Sequence, residues 1–211
     1  MSDPVGEGIV ASFARPGNNF TGFTNFEDTM GGKWLEILKE LVPTLTRVGF
    51  LFNPATAPGG GKYFLQSFEV AAPSFQVQSI LSPVADELEV ERTLRALAAG
   101  GNAGLIVNSD GFTSRHRTTI IAAAVRHRLP AIYPFLYFAA DGGLIAYGTD
   151  IKDLWRRAAL YIDRILRGEK AGDLAVQAPT KFELAINLNA ARALGLEVPS
   201  TLLARADVVI E

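Results

Sequence analysis

The run Arg47-Val-Gly-Phe-Leu-Phe52 is apolar without alternation, closes on Asn53-Pro54 and is followed by Ala57-Pro-Gly-Gly-Gly-Lys62. A strand whose residues do not alternate cannot keep one face in water. Both faces must be covered, which is the condition of strands in parallel sheets packed between helices. Ala103-Gly-Leu-Ile-Val-Asn108 repeats the pattern, and Pro130-Ala-Ile-Tyr-Pro134 and Gly143-Leu-Ile-Ala-Tyr-Gly148 give shorter versions of it. Amphipathic stretches of crossover length separate these runs. The expected fold class is therefore α/β, a doubly wound parallel sheet with right-handed crossovers. In such sheets the loops at the carboxyl ends of the strands hold ligands.

The helical stretches are legible from their stripes. From Gly32, Trp34, Ile37, Leu38 and Leu41 share one side and Lys33, Glu36, Lys39 and Glu40 the other, with a stop before Pro43. Tyr63 to Ala72 and Glu87 to Ala99 follow as helices, with a strand over Gln76 to Leu81 between them. Ser114 is the expected cap of a helix through Ile120 and Val125, and Thr149 or Asp150 that of a long helix closed by Gly168. A strand over Lys181 to Asn187, a short helix from Asn189 to Leu194 and a strand over Asp207 to Ile210 complete the pattern. At the start, Asp3-Pro4 should cap a short helix through Ile9, Val10 and Phe13, stopped by Arg15-Pro-Gly-Asn-Asn19, before an extended crossing at Phe20 to Thr24.

Composition removes several functions. A formal charge of −2 with no basic block argues against binding nucleic acid, which needs clustered Lys and Arg. With no cysteine there is no disulfide, thiolate metal site or Cys nucleophile. No apolar run approaches a membrane span. The first residues lack the charged start and apolar core of a secretory signal, so the chain as written is expected to stay in the cytoplasm.

Catalytic templates also fail. Gly59 to Lys62 lacks the leading glycine and trailing Ser or Thr of a phosphate loop, and Phe64 stands where a dinucleotide fingerprint needs its third glycine. His116 and His127, eleven positions apart on one expected helix, lie roughly 16 Å apart, too far to share a metal, and are expected to be solvated. No metal site, cofactor or catalytic residue is expected. What remains is a set of polar and aromatic groups at adjacent strand ends: Asn53 and Thr56, then Asn108, Ser109 and Asp110, then Tyr133 and Phe135. Such groups bind a small molecule without transforming it. Asp110 suits a ligand ammonium, Asn53 and Ser109 a carboxylate or hydroxyl, and Tyr133 or Phe135 an apolar or aromatic group.

Several segments together resemble a known family. Asp3-Pro-Val-Gly through Arg15-Pro-Gly to Thr21-Gly22, Arg47-Val-Gly to Asn53-Pro54, His127-Arg-Leu-Pro-Ala-Ile-Tyr133, Gly142-Gly-Leu to Tyr147-Gly148 and Asp150, and Pro179-Thr-Lys-Phe-Glu-Leu184 through Leu202-Leu-Ala-Arg-Ala-Asp207 are similar to the substrate-binding proteins of bacterial ABC importers. By this resemblance, characterised members similar to the chain take up aromatic amino acids. The resemblance implies a type I periplasmic binding protein with a Rossmann-like lobe, a solute-binding component that is not an enzyme. It would bind a small molecule, in this group an amino acid and an aromatic one, and dock on the permease subunits of an importer, in the periplasm or lipid-anchored. It would place Asn53, Asn108 to Asp110 and Tyr133 on one wall of a cleft, and Tyr147 to Asp150 at a hinge crossing. The implied organisation is 1–24 as a remnant of a first lobe and crossing, 25–148 as the Rossmann-like ligand-binding lobe, 149–180 as hinge and returning helix, and 181–211 as a closing strand-helix-strand. The resemblance implies that most of the first lobe of such proteins lies outside the sequence 1–211. The stripes Ile9-Val10-Phe13 and Leu154-Ala158-Tyr161-Ile165 are then expected to be uncovered, or covered by self-association into a homo-oligomer. The rival functions are a ligand-sensing regulatory domain of the same fold and an α/β enzyme using a sugar nucleotide.

Overall fold

The computed structural model describes residues 2–211. The chain divides into two compact units, one built from the amino-terminal stretch ending at Asp28 with Thr149–Phe182, the other from Thr29–Gly148 with Glu183–Glu211.

The larger unit is a seven-stranded sheet in the order β2-β1-β3-β4-β5-β6-β7. Its strands are β1 (Arg47–Phe52), β2 (Gln78–Pro83), β3 (Ala103–Val107), β4 (Ala131–Tyr133), β5 (Ile145–Thr149), β6 (Phe182–Asn187) and β7 (Val208–Ile210). β1 pairs in parallel with β2 and β3, as do β3 with β4, β4 with β5 and β6 with β7. The doubly wound reading of the sequence is what the sheet shows. From Val48 to Phe52 every residue of β1 is buried, as is every residue of β3. The chain steps from β1 outward to β2 and then back across to β3, so the loops after β1 and β3 open side by side. That is the switch point where such sheets form a crevice.

Helices α1 (Met30–Leu41), α2 (Lys62–Ala71), α3 (Glu87–Ala99), α4 (Gly111–Arg115), α5 (Arg117–Arg126), α6 (Leu136–Ala140), α8 (Leu188–Leu194) and α9 (Ser200–Arg205) belong to this unit. α1 buries Trp34, Ile37, Leu38 and Leu41, the stripe its spacing implies. The indole N–H of Trp34 donates to the Tyr147 carbonyl at 2.8 Å, tying α1 to β5. α1 and α2 touch at Gly31, where an added methyl would fall on the Phe64 carbonyl oxygen. A backbone atom cannot swing aside as a side chain can. Gly31→Ala is therefore expected to cost about 2 kcal/mol through forced separation of the two helices, read as a lower urea midpoint.

Three local readings need correction. Residues 3–13 form turns, not a helix. Asp3 caps Gly6 N at 2.8 Å as expected, but Gly8 turns left-handed at φ 71° and ends the coil. Ser114 is not a cap. Asp110 caps α4, and α5 begins after a break at His116. His116 and His127 are not free in solvent: His116 meets Glu87 at 2.5 Å and His127 meets Glu91 at 2.8 Å, so both ends of α5 are pinned to α3. The short helices α6 and α9 carry no cap signal in the sequence, because Phe135 and Pro199 stand at their starts and make no side-chain capping bond.

The smaller unit holds α7 (Ile151–Leu166). Phe26 and Val10 are buried in it, and Tyr161 packs on Phe23 with the rings tilted at 51° and 4.9 Å between centres. Of the stripe Ile9-Val10-Phe13, Val10 is covered and Phe13 is exposed.

Candidate functional site

The ends of β1 and β3 are joined through one carboxylate. Asp110 Oδ2 accepts from the backbone N–H of Asn53 at 3.1 Å. Its Oδ1 accepts from Thr113 N at 2.7 Å and from the Thr56 hydroxyl at 3.2 Å. Thr56 in turn accepts from Phe112 N at 3.3 Å. Thr113 completes a capping box: its hydroxyl accepts from Asp110 N at 3.3 Å and donates to the Asn108 carbonyl at 2.7 Å. The two loops thus form one hydrogen-bonded block.

Asn53 turns the chain at the end of β1, its Oδ1 accepting from Ala55 N at 2.8 Å and its Nδ2 donating to the Ala85 carbonyl at 3.4 Å. Burial pushes the Asp110 carboxyl above its ordinary pKa, and the N–H groups of Thr113 and Asn53 pull in the opposite direction without cancelling it. The acid has three donors and no cation among these contacts, so its first task is to hold the loops.

Asn108 is different. It is fully buried, and neither its amide oxygen nor its amide nitrogen has a partner among the described residues. Buried polar atoms are nearly always satisfied, because stranding one costs about 1–3 kcal/mol. Ser109 is buried beside it in the chain.

At the end of β4 stands a run of four stacked rings. Tyr133 lies on Phe138 at 5.1 Å, Phe138 on Tyr137 at 5.0 Å, and Tyr137 on Phe135 at 5.3 Å, with interplanar angles of 17° to 22°. Tyr133 is wholly enclosed, and this burial holds its phenol protonated far above the usual range. Tyr137 is the exposed member, held by Ser114 at 3.2 Å with the Arg117 guanidinium over its ring at 5.5 Å.

The sequence-predicted residues therefore fall into groups. Asn53, Thr56, Asn108, Ser109 and Asp110 come together at the switch point. Phe135 and Tyr133 belong to the ring stack. Tyr147 lies on β5, half-buried, where Lys33, Glu36, Arg205 and Asp207 supply the nearby charges. Asp150 is in the smaller unit, where it caps α7 through Asp153 N at 3.1 Å and pairs with Lys181 at 2.8 Å. Sequence reasoning missed Thr113, Tyr137 and Arg117. The Asp110-x-x-Thr113 spacing of a capping box was the available signal for the first; Arg117 and Tyr137 carried none.

The Lys181 contact holds the Asp150 carboxyl below its ordinary pKa. A depressed acid stabilises the fold above its unfolded value, and that contribution fades as pH falls through the folded value. Lys181→Met is thus expected to lower stability at neutral pH, by less than about 1 kcal/mol since Lys181 is more than half exposed. The difference from the parent should vanish in strong acid, as read by urea unfolding at several pH values.

Other hollows carry less chemistry. One of about 220 Å³ lies at the amino ends of the strands, lined by Leu45, Asn102, His127 and Arg128. One of about 300 Å³ in the smaller unit is lined mainly by carbon. Neither is lined by a buried unpartnered polar group such as Asn108.

Comparison with known proteins agrees with this fold. The family model described as ABC transporter substrate binding protein matches residues 1–210. The "Tyrosine-binding protein" of Clostridioides difficile (strain R20291) is 24% identical over 197 residues, 93% of this chain and 56% of that protein. The chain thus spans little more than half the length of that relative. Among solved structures, a conserved domain protein from Vibrio cholerae O1 biovar El Tor strain N16961 superposes with a TM-score of 0.88, at 24% identity, over 99% of this chain and 69% of the other. An ABC domain from Streptococcus pneumoniae in complex with L-Trp gives 0.86, at 23% identity, over 99% and 71%. At these identities the superpositions establish the fold.

Proposed function

We propose that this chain, which belongs to the family of ABC transporter substrate binding proteins, holds an aromatic amino acid at the carboxyl ends of β1, β3 and β4 and presents it to a membrane permease. The family and its named relatives are binding proteins, not enzymes. No described helix is long and apolar enough to cross a membrane. The transport role, which would place the chain outside the cytoplasm, belongs to the proposal.

The observation that carries the reading is Asn108. An amide offers one acceptor and two donors. Buried and unpaired among the described residues, they favour a ligand with complementary groups, such as the ammonium and carboxylate of an amino acid. Asp110 keeps the Asn53 and Asn108 loops in register for that ligand. We read the ring stack that ends in Phe135 and includes the partly exposed Tyr137 as the part of the site that favours an aromatic side chain over a sugar. The tyrosine- and tryptophan-binding relatives support the same ligand class.

Isothermal titration of the chain with L-tryptophan, L-tyrosine, L-glutamate and ribose tests this. Heat is expected with the two aromatic amino acids and none with glutamate or ribose. Binding of ribose, or silence with every amino acid, would contradict the proposal.

A further inference from the structure

We propose, resting on the ligand reading above, that His116 is a positioning residue for the ligand loops, and that its contact with Glu87 is a crossbar fixing the distance between the loop after β2 and the loop after β3.

In the order β2-β1-β3 these two loops flank the end of β1 and stand two strand spacings apart, about 10 Å. Each is tied separately to the β1 loop between them. From the β2 side, Val84 N donates to the Phe52 carbonyl at 2.9 Å, and the Ala85 carbonyl accepts from Asn53 Nδ2 at 3.4 Å. From the β3 side, Asp110 binds Asn53 N and Thr56. His116 closes the circuit. Its Nδ1 lies 2.5 Å from Glu87 Oε1, in the first turn of α3 and two residues beyond Ala85. A carboxylate accepts, so Nδ1 carries the proton of that contact.

The imidazole also reaches the ligand loops directly. It packs on the Phe112 ring with 4.5 Å between centres, and Phe112 N donates to Thr56 Oγ1 at 3.3 Å. A displacement of His116 is therefore felt at Thr56 and, through it, at Asp110. The helix between them cannot resist that displacement alone. α4 has five residues and is separated from α5 by the break at His116, and so short a helix takes its position from its anchors. Asp110 is the anchor at one end and His116 at the other.

His127 supplies an internal comparison. It makes the same kind of contact at the far end of α5, with Glu91 at 2.8 Å, but lies beside Leu45 and Asn102 at the amino ends of the strands. The two histidines pin one helix, and His116 is the one that packs on a residue of the ligand loops. The side chains of His116 and Glu87 are 26% and 54% exposed, which limits the crossbar to a several-fold effect.

Titration with L-tryptophan and amide hydrogen exchange of the ligand-free chain test the crossbar. His116→Ala is expected to raise the dissociation constant about fivefold and to speed exchange of the Asn53 and Phe112 amides by a similar factor. Glu87→Ala should do the same, and the double variant should be no worse than either single one. His116→Arg should restore both readings, because a guanidinium pairs with the carboxylate and stacks on a ring. His127→Ala should change neither, although it breaks the same kind of contact on the same helix. Equal effects of His127→Ala and His116→Ala would mark a general loosening between α3 and α5 and overturn the proposal. So would a silent His116→Ala, or losses that add in the double variant. A parent chain giving no heat with L-tryptophan would sink the ligand reading, and the exchange rates would still decide the crossbar.

Discussion

Asp110→Ala is expected to lower stability by about 3 kcal/mol and to abolish ligand binding. Three donors, Asn53 N, Thr113 N and the Thr56 hydroxyl, lose their acceptor together. A buried donor left unpaired costs about 1–3 kcal/mol, and some of that is recovered where water follows the truncated side chain. The loss is large against the 5–15 kcal/mol of a typical domain. Asp110→Asn should cost less, since one amide oxygen still caps α4, although the amide nitrogen then faces one of the former donors. The comparison between aspartate and asparagine also reports charge. Because burial raises the Asp110 carboxyl, its contribution is fully present below the unfolded value, about pH 4, and is lost as pH rises through the folded value. The parent's advantage over Asp110→Asn should therefore grow as pH is lowered from 7 to 3.5. Urea unfolding at the two pH values measures it.

Asn108→Leu should act in opposite directions on stability and binding. The side chain is fully buried with both amide atoms unpartnered. A leucine, which has the same branched shape and number of side-chain heavy atoms, removes that desolvation cost, and the ligand-free chain is expected to gain about 1–2 kcal/mol. Binding of L-tryptophan should fall about a hundredfold or more, since the ligand's polar groups would then meet carbon. If Asn108 were a structural residue, the same change would destabilise the chain and leave any bound ligand indifferent. Thermal unfolding and titration on one preparation separate the two.

The strands were legible because burial on both faces writes itself into the sequence. Val48 to Phe52 and Ala103 to Val107 have no polar residue to place outward, so a parallel sheet under helices follows almost directly. The switch-point grouping of Asn53, Thr56 and Asn108 to Asp110 followed from strand order in such sheets. The role of Asp110 did not. Asp110-Gly111 reads equally as a turn and as a cap, and the choice depends on Thr113 reaching back to Asn108, a contact made only in the folded chain. Likewise the sequence places Asn108 at a strand end but cannot say that its amide points inward with no partner. Tyr133 looked like a ligand aromatic, and its neighbours Gly143 and Phe138 enclose it; that closeness comes from the β4–β5 connection rather than from local spacing.

The central claim is that an aromatic amino acid sits on the carboxyl ends of β1, β3 and β4. A nitrogen-15 correlation spectrum recorded while L-tryptophan is added tests it residue by residue. The largest shifts are expected at the amides of Asn53 to Ala57, Asn108 to Thr113 and Phe135 to Tyr137, together with the side-chain amide of Asn108. Shifts confined to the opposite end of the sheet, around Leu45, Asn102 and Arg128, or no shifts at saturating ligand, would contradict it.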